Sequence, residues 1–186
     1  LSHPAKYIGT LLYVLTRRGE SGENRLRTLF HFCEAVYLAP DIQKRGVAHV
    51  HAHFTINAAT IALVLSRLLD IPFSFTAHNI FFTDRILLKE KVREARFVVA
   101  ISRFSKQFLN RLVPGEEHKI HIVHCGLSPE DFSPARKPKN DLPLLLFVAQ
   151  LAERKGAPVL VEACSILSQR GVPFSCAIVG AGSDQE

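Results

Sequence analysis

The sequence predicts an α/β protein built on a Rossmann-type parallel sheet, with the start of a second, similar unit behind a proline-rich linker. Three observations carry this. Short apolar runs alternate with helix-length segments between residues 47 and 125, the pattern of a parallel sheet covered by helices on both faces. Histidines gather at the carboxyl ends of two of those runs, where open α/β sheets place their ligands. The alternation then breaks around Pro129, Pro134 and Pro138 and restarts beyond them, which marks a linker.

Taken in order, residues 4–18 and 21–39 have helical periodicity. The second segment carries Leu26, Leu29, Phe30, Cys33 and Val36 on one face, and both helices are expected to lie against a sheet. A strand is predicted over 47–54, followed by a helix over 56–69 that Thr55 can cap and Asp70-Ile71-Pro72 stops. Next come a strand over 72–77, a helix over 84–95, a strand over 96–101, a helix over 103–112 and a strand over 119–125. Ser102 is placed to cap the helix that starts at Arg103, a role worth roughly 1 kcal/mol. Residues 85–93 alternate basic and apolar side chains. Their outer face reads as solvated, although it is also suited to an anionic membrane surface. The organisation is therefore a first Rossmann-like domain over 1–127, a linker over 128–142 and a truncated second domain over 143–186. The second contributes a strand over 143–149, a helix over 157–169 and a strand over 174–179. Two such domains facing one another would leave a cleft between them.

Composition narrows the chemistry. A chain of 186 residues with 47% hydrophobic content can bury a core, and no apolar run reaches the roughly 18 residues that span a bilayer, so the sequence reads as soluble. A net charge of +6 and a pI near 9.4 favour anionic partners such as phosphates, nucleotides or an acidic membrane face. Cys33, Cys125, Cys164 and Cys176 form no Cys-x-x-Cys pair, which argues against a zinc or redox motif and for a reducing cytoplasm. Cys125 reads as a buried small residue. His49, His51 and His53 alternate along one strand face, with no carboxylate or cysteine nearby in sequence to complete a metal site. His49 and His51 are expected to be hydrogen-bonded structural residues, and His53, nearest the strand end, a functional one. The absence of methionine, the start at Leu1 and the end inside what reads as a new helix lead us to expect a piece of a longer protein.

Six strings then carry a family resemblance: His51-Ala52-His53-Phe54; Thr76-Ala77-His78; Ala100-Ile101-Ser102; Ile122-Val123-His124-Cys125-Gly126-Leu127 with Phe132; Leu151 followed by Lys155-Gly156; and Ile178-Val179-Gly180 with Gly182. In this order they resemble the family-4 (group 1) glycosyltransferases, most of all the bacterial members that build exopolysaccharide or lipopolysaccharide. The resemblance implies a GT-B-like fold, an acceptor-side first domain, a second domain that holds a nucleotide sugar, and transfer of a hexose with retention of anomeric configuration. It implies no metal and no cofactor apart from the nucleotide-sugar substrate. A glycan or lipid-linked acceptor follows, with peripheral contact at the inner face of the plasma membrane and no nucleic acid partner.

By resemblance, His78 is the catalytic candidate, reaching the donor sugar with a neutral imidazole. Lys155, Gly156, Gln150, Gly180 and Gly182 are the donor-binding candidates, and His53, Asn79 and Ser102 line the acceptor side. A leaving nucleoside diphosphate gathers negative charge, which preorganised cations and amides stabilise. Lys155 and Gly156 precede a helix that Pro158 can open. Two departures stand out: Gln150 replaces the family's usual arginine, and the segment after His78, beginning at Asn79, is shorter than the family's. The glycine-rich amino-terminal loop and the Glu-x7-Glu element of the family are absent from these residues, so the chain alone is expected to be inactive. The alternatives are a non-catalytic nucleotide-binding module and a Rossmann dehydrogenase, the latter weakened because Gly180-Ala181-Gly182-Ser183-Asp184-Gln185 has no third glycine.

Overall fold

A computed structural model describes residues 4–17, 20–78, 84–132 and 142–183. The chain divides into two compact units, Leu1–Leu127 and Ser128–Glu186.

The first unit runs α1 (Pro4–Leu15), α2 (Gly22–Lys44), β1 (Val50–His53), α3 (Asn57–Leu69), β2 (Phe73–Ala77), α4 (Leu88–Glu94), β3 (Phe97–Ala100), α5 (Arg103–Leu112) and β4 (Ile120–Ile122). Its four strands pair in sequence order, β1-β2-β3-β4, all parallel. Each neighbouring pair is therefore joined by one crossover helix, and right-handed crossovers that step one way across a sheet stack their helices on one face. The register sets Val50 beside Phe73 and Ala52 beside Phe75, with Phe75 beside Val98 and Val98 beside Ile120. Ala52, Phe73, Phe75, Ala77, Val98, Ala100 and Ile120 are all buried and form the core with α3.

The opposite face carries His51 and His53 on β1, Ser74 and Thr76 on β2, and Phe97 and Val99 on β3, with His49 just before β1 reaching Ser74. Both faces were expected to be covered; β2 is buried on both, whereas burial alternates along β1 and β3, and His51 and His53 are exposed.

α3 is apolar on every side, with Ala59, Ala62, Leu63, Val64, Leu65 and Leu68 all buried. A helix of that kind must be enclosed, and α3 lies between the sheet and the α1–α2 pair. This corrects two expectations. α1 and α2 pack chiefly on α3 and on each other rather than on the sheet. The buried face of α2 is Thr28, His31, Phe32, Ala35 and Ala39, while Leu26, Leu29, Phe30 and Cys33 are exposed. Small Ala35 and Ala39 let the α2 backbone come close to α3, and interaxial distance is set by the residues at the contact. α2 also continues through Pro40 to Lys44. A proline inside a helix forfeits one hydrogen bond, and the packing of Ala35 and Ala39 in the turns before it outweighs the loss.

The two expected caps fare differently. Ser102 caps α5, its Oγ accepting from Ser105 N at 3.1 Å. Thr55 does not cap α3: the cap residue is Ile56, which makes no side-chain bond, and the buried Thr55 hydroxyl has no partner among the described residues. Cys125, expected to be buried, is exposed.

The second unit contributes β5 (Leu144–Val148), α6 (Ala157–Gln169) and β6 (Ser175–Val179), with β5 and β6 adjacent and parallel. No described helix is long and apolar enough to cross a membrane.

Candidate active site

Alternation along β1 puts His49, His51 and His53 in a row, and the parallel register sets His51 beside Ser74 and His53 beside Thr76. A polar ladder results. Ser74 Oγ lies 2.7 Å from His49 Nε2 and 2.7 Å from His51 Nδ1, and His51 Nε2 lies 3.0 Å from Thr76 Oγ1. These contacts satisfy the buried hydroxyls of Ser74 and Thr76, which an apolar sheet would leave unpaired at a cost of about 1–3 kcal/mol each. Either direction of proton donation along the ladder works with neutral rings. Partial burial, with His53 and His49 beside it, holds His51 below the ordinary histidine pKa. The rings of His49 and His51 both stack on Phe97, at 5.8 and 6.0 Å.

Where the strands end, the ladder becomes a cluster. His53 Nδ1 is 3.3 Å from His78 Nε2, and the two rings stack at 5.6 Å. One of those nitrogens must carry the hydrogen and the other must be bare. Phe54 completes the cluster, its ring 4.6 Å from that of His78 and half-exposed. Phe54 holds φ at 70°, a conformation that costs a bulky residue about 1–3 kcal/mol and persists only when its surroundings impose it.

The surroundings that impose it come from α4. Lys91 is fully buried, and its Nζ donates to the carbonyls of Thr55 at 2.5 Å, Ile86 at 2.8 Å and Ile56 at 3.2 Å. Burial, the largest effect, lowers its pKa to about 7, against the nearby carboxylates of Asp84, Glu20 and Glu90, which raise it, while Arg27 lowers it. The segment expected to present a solvated basic face thus sends Lys91 inward. Glu20 and Asp84 brace the start of α4: Leu87 N donates to Glu20 Oε1 at 2.9 Å, and Arg27 pairs with Asp84 at 3.1 Å.

Ser102, at the end of β3, is occupied by its cap and also lies 2.9 Å from Ser105 Oγ. His124 Nδ1 is 3.0 Å from the carbonyl of Ile101 and so ties the exits of β4 and β3 together. Asn79 lies outside the described residues.

In the second unit, the turn after β5 brings Gln150, Arg154 and Lys155 to the start of α6. Arg154 donates to Gln150 Oε1 at 2.8 Å, and Lys155 and Gln150 are exposed. Gly156 holds φ at 76° and caps α6, with Pro158 in the first turn, so glycine here serves the backbone. Gly180 and Gly182 serve close approach: a Cβ at either position would collide with the carbonyl oxygen of Ala149 or Leu151. Leu151 N bonds to Ala181 O at 3.0 Å across the same junction. The glycines therefore lock the β6 exit onto the turn that bears Gln150.

Among the described residues, no three histidine, cysteine or acidic side chains converge on a point where they could hold a metal ion. Sequence reasoning missed Phe54 and Lys91. The signal for Phe54, an aromatic directly after His51-x-His53, was present in the strand; nothing local marked Lys91.

The model of Glycosyltransferase Family 4 matches residues 6–131, more than half of the chain. The chain is 42% identical over 65 residues to the amylovoran biosynthesis glycosyltransferase AmsK of Erwinia amylovora, a match spanning 34% of this chain and 16% of that protein. WcaL of Escherichia coli K12, provisionally named a colanic acid biosynthesis glycosyltransferase, is 38% identical over 65 residues, with the same shares covered. A solved co-structure of S. aureus MnaA with UDP superposes with a TM-score of 0.51 at 12% identity, covering 98% of this chain and 60% of that one. This last likeness shows the fold alone: α/β and GT-B-like, a Rossmann-type parallel-sheet unit followed by a second α/β unit. The chain spans less than two thirds of the length of each of these proteins. The histidine cluster at the ends of β1 and β2 stands inside the matched segment, and the chain belongs to Glycosyltransferase Family 4.

Proposed function

We propose that this chain is part of a retaining glycosyltransferase that moves a hexose from a nucleotide-sugar donor to a glycan or lipid-linked acceptor in the synthesis of a bacterial surface polysaccharide. The observation that carries the reading is the His53–His78 contact at the strand exits of a chain that belongs to Glycosyltransferase Family 4. An imidazole there can donate to or accept from a sugar hydroxyl while its neighbour fixes which nitrogen bears the hydrogen. The names of the two relatives, both polysaccharide-synthesis glycosyltransferases, support the product class. The UDP bound to the structural neighbour supports a nucleotide-sugar donor.

In this reading, His78 acts beside the donor sugar, and His53, Asn79 and Ser102 face the acceptor. Lys155, Gly156 and the turn braced by Gly180 and Gly182 hold the diphosphate, with no metal and no cofactor beyond the nucleotide sugar. Lys155, the guanidinium of Arg154 and the start of α6 are the positive groups available to the leaving diphosphate. Gln150 contributes by orienting Arg154. The work is done at the cytoplasmic side, where a lipid-linked acceptor would bring the protein to the membrane surface.

Calorimetric titration of the full-length protein with uridine and guanosine diphosphates, beside the Lys155→Ala variant, tests this. Binding of one nucleotide, lost in the variant, is the expected result. If the folded protein bound neither, the reading would fail in favour of a non-catalytic module. One observation favours that second reading: Gln150 stands at this turn, and a neutral amide cannot itself grip a diphosphate.

A further inference from the structure

The turn between β1 and α3 is held against its own preference. Phe54 adopts a left-handed backbone at φ 70°, and Ile56 follows with φ −91° and ψ −109°, outside the regular regions. Neither residue has the glycine or asparagine chemistry that makes such backbones easy. The backbone of Phe54 is fixed on one side by its N–H donating to Thr76 O at 3.0 Å. The next two carbonyls, of Thr55 and Ile56, accept from the buried Lys91 ammonium. A hydrophobic side chain in place of Lys91 would take the ammonium donor from the carbonyls of Thr55 and Ile86, while that of Ile56 keeps the N–H and hydroxyl of Thr60.

The consequence of this clasp is a phenyl ring 51% exposed at a strand end, beside two imidazoles. One face of a pyranose is a patch of C–H groups, whereas its edge carries hydroxyls. An aromatic ring flanked by imidazole nitrogens matches both features, apolar face to ring and hydroxyl edge to nitrogen.

We propose that Phe54 is a carbohydrate-stacking residue of the acceptor side and that Lys91 is the positioning residue that holds it there. This rests on reading the β1–β2 exits as the acceptor side of a glycosyltransferase. It adds to that reading a ring-stacking residue and the buried group that fixes it. The hydroxyls of an acceptor sugar meet His53 and His78 while its C–H face lies on Phe54, so sugars with an uninterrupted apolar face bind best.

Saturation-transfer NMR on the full-length protein, with methyl β-D-glucoside and methyl β-D-galactoside as probes, gives the direct test. Transfer to the ring C–H protons of at least one glycoside is expected in the parent. It should fall at least fivefold in Phe54→Ala and return in Phe54→Tyr. Equal transfer in Phe54→Ala, or none to either glycoside from the parent, overturns the proposal. For Lys91, the same transfer should be lost in a Lys91→Met variant that still melts cooperatively, and its retention there would overturn the positioning role. Should Lys91→Met not fold, melting temperatures in a Phe54→Gly background decide, because glycine removes the strain that Lys91 opposes. A smaller loss from Lys91→Met in that background supports the clasp, and an equal loss or an unfolded double variant refutes it. Nucleotide binding measured on the same samples separates failure of this proposal from failure of the transferase reading: a protein that binds a nucleoside diphosphate but no glycoside refutes only the former.

Discussion

His53 Nδ1 and His78 Nε2 lie 3.3 Å apart at the ends of two adjacent parallel strands, so each ring sets the proton position of the other. Replacing His53 by alanine removes that orientation without touching the backbone of His78. The expected result is a loss of roughly one net hydrogen bond, about 1 kcal/mol, which is about a five- to tenfold fall in transfer rate. His78→Ala should cost more than His53→Ala. On the proposed transferase reading, steady-state rates of the full-length protein check this, and equal losses would show that the two rings share one role.

Lys91 makes stability depend on pH in a defined sense. Its pKa is lowered from 10.5 to about 7 in the folded protein, so between those values the unfolded chain holds the extra proton. Stability therefore rises with pH across that window, by up to about 1.4 kcal/mol per pH unit. The carboxylates of Asp84, Glu20 and Glu90 and the cation of Arg27 face the same ammonium. Urea midpoints at pH 7, 8 and 9 should climb in the parent and stay level in Lys91→Met.

His51 acts at the acid end. Its pKa is depressed by burial and then by His53 and His49, so below the ordinary histidine value the unfolded state takes up the proton first. Stability conferred by neutral His51 is present at neutral pH and is lost as the pH falls through the range below 6.5. Melting curves from pH 7 to 5 should show a smaller decline in His51→Gln than in the parent.

Gly180→Ala and Gly182→Ala should each destabilise the second unit, because the new methyl would overlap a backbone oxygen of Ala149 or Leu151. Overpacking of this kind costs about 1–3 kcal/mol. Nucleotide affinity should fall in the same variants, since the displaced turn bears Gln150. A variant with parental stability and weakened binding would instead assign the glycine to the ligand.

Ser102→Ala tests a modest role. Loss of the bond from Ser105 N should cost about 1 kcal/mol of stability and little transfer rate if the cap is its whole function. A rate loss beyond what stability explains would bring Ser102 into the site.

Much of this molecule was legible in the chain. The strands stand out because short apolar runs bounded by turn residues leave few alternatives, and the end of α3 follows from Asp70, which takes φ 56° before Ile71-Pro72. The row of histidines on β1 follows from the two-residue period of a strand. The buried face of α2 did not follow, because α2 has two stripes that could serve. Leu26-Leu29-Phe30-Cys33 is the more hydrophobic, yet Thr28-His31-Phe32-Ala35-Ala39 is buried, since small residues permit close approach to α3.

By itself the sequence determined the order of elements, the parallel sheet and the family, all of which rest on local periodicity and on strings of adjacent residues. Only the tertiary structure decided that His53 Nδ1 meets His78 Nε2, that Arg154 turns back to Gln150, and that Lys91 points inward to three carbonyls. The physical reason is the same in each case: the partners lie on different turns or different elements. Their contact depends on register and on which backbone groups are left unpaired, and neither is written in the neighbourhood of any one residue.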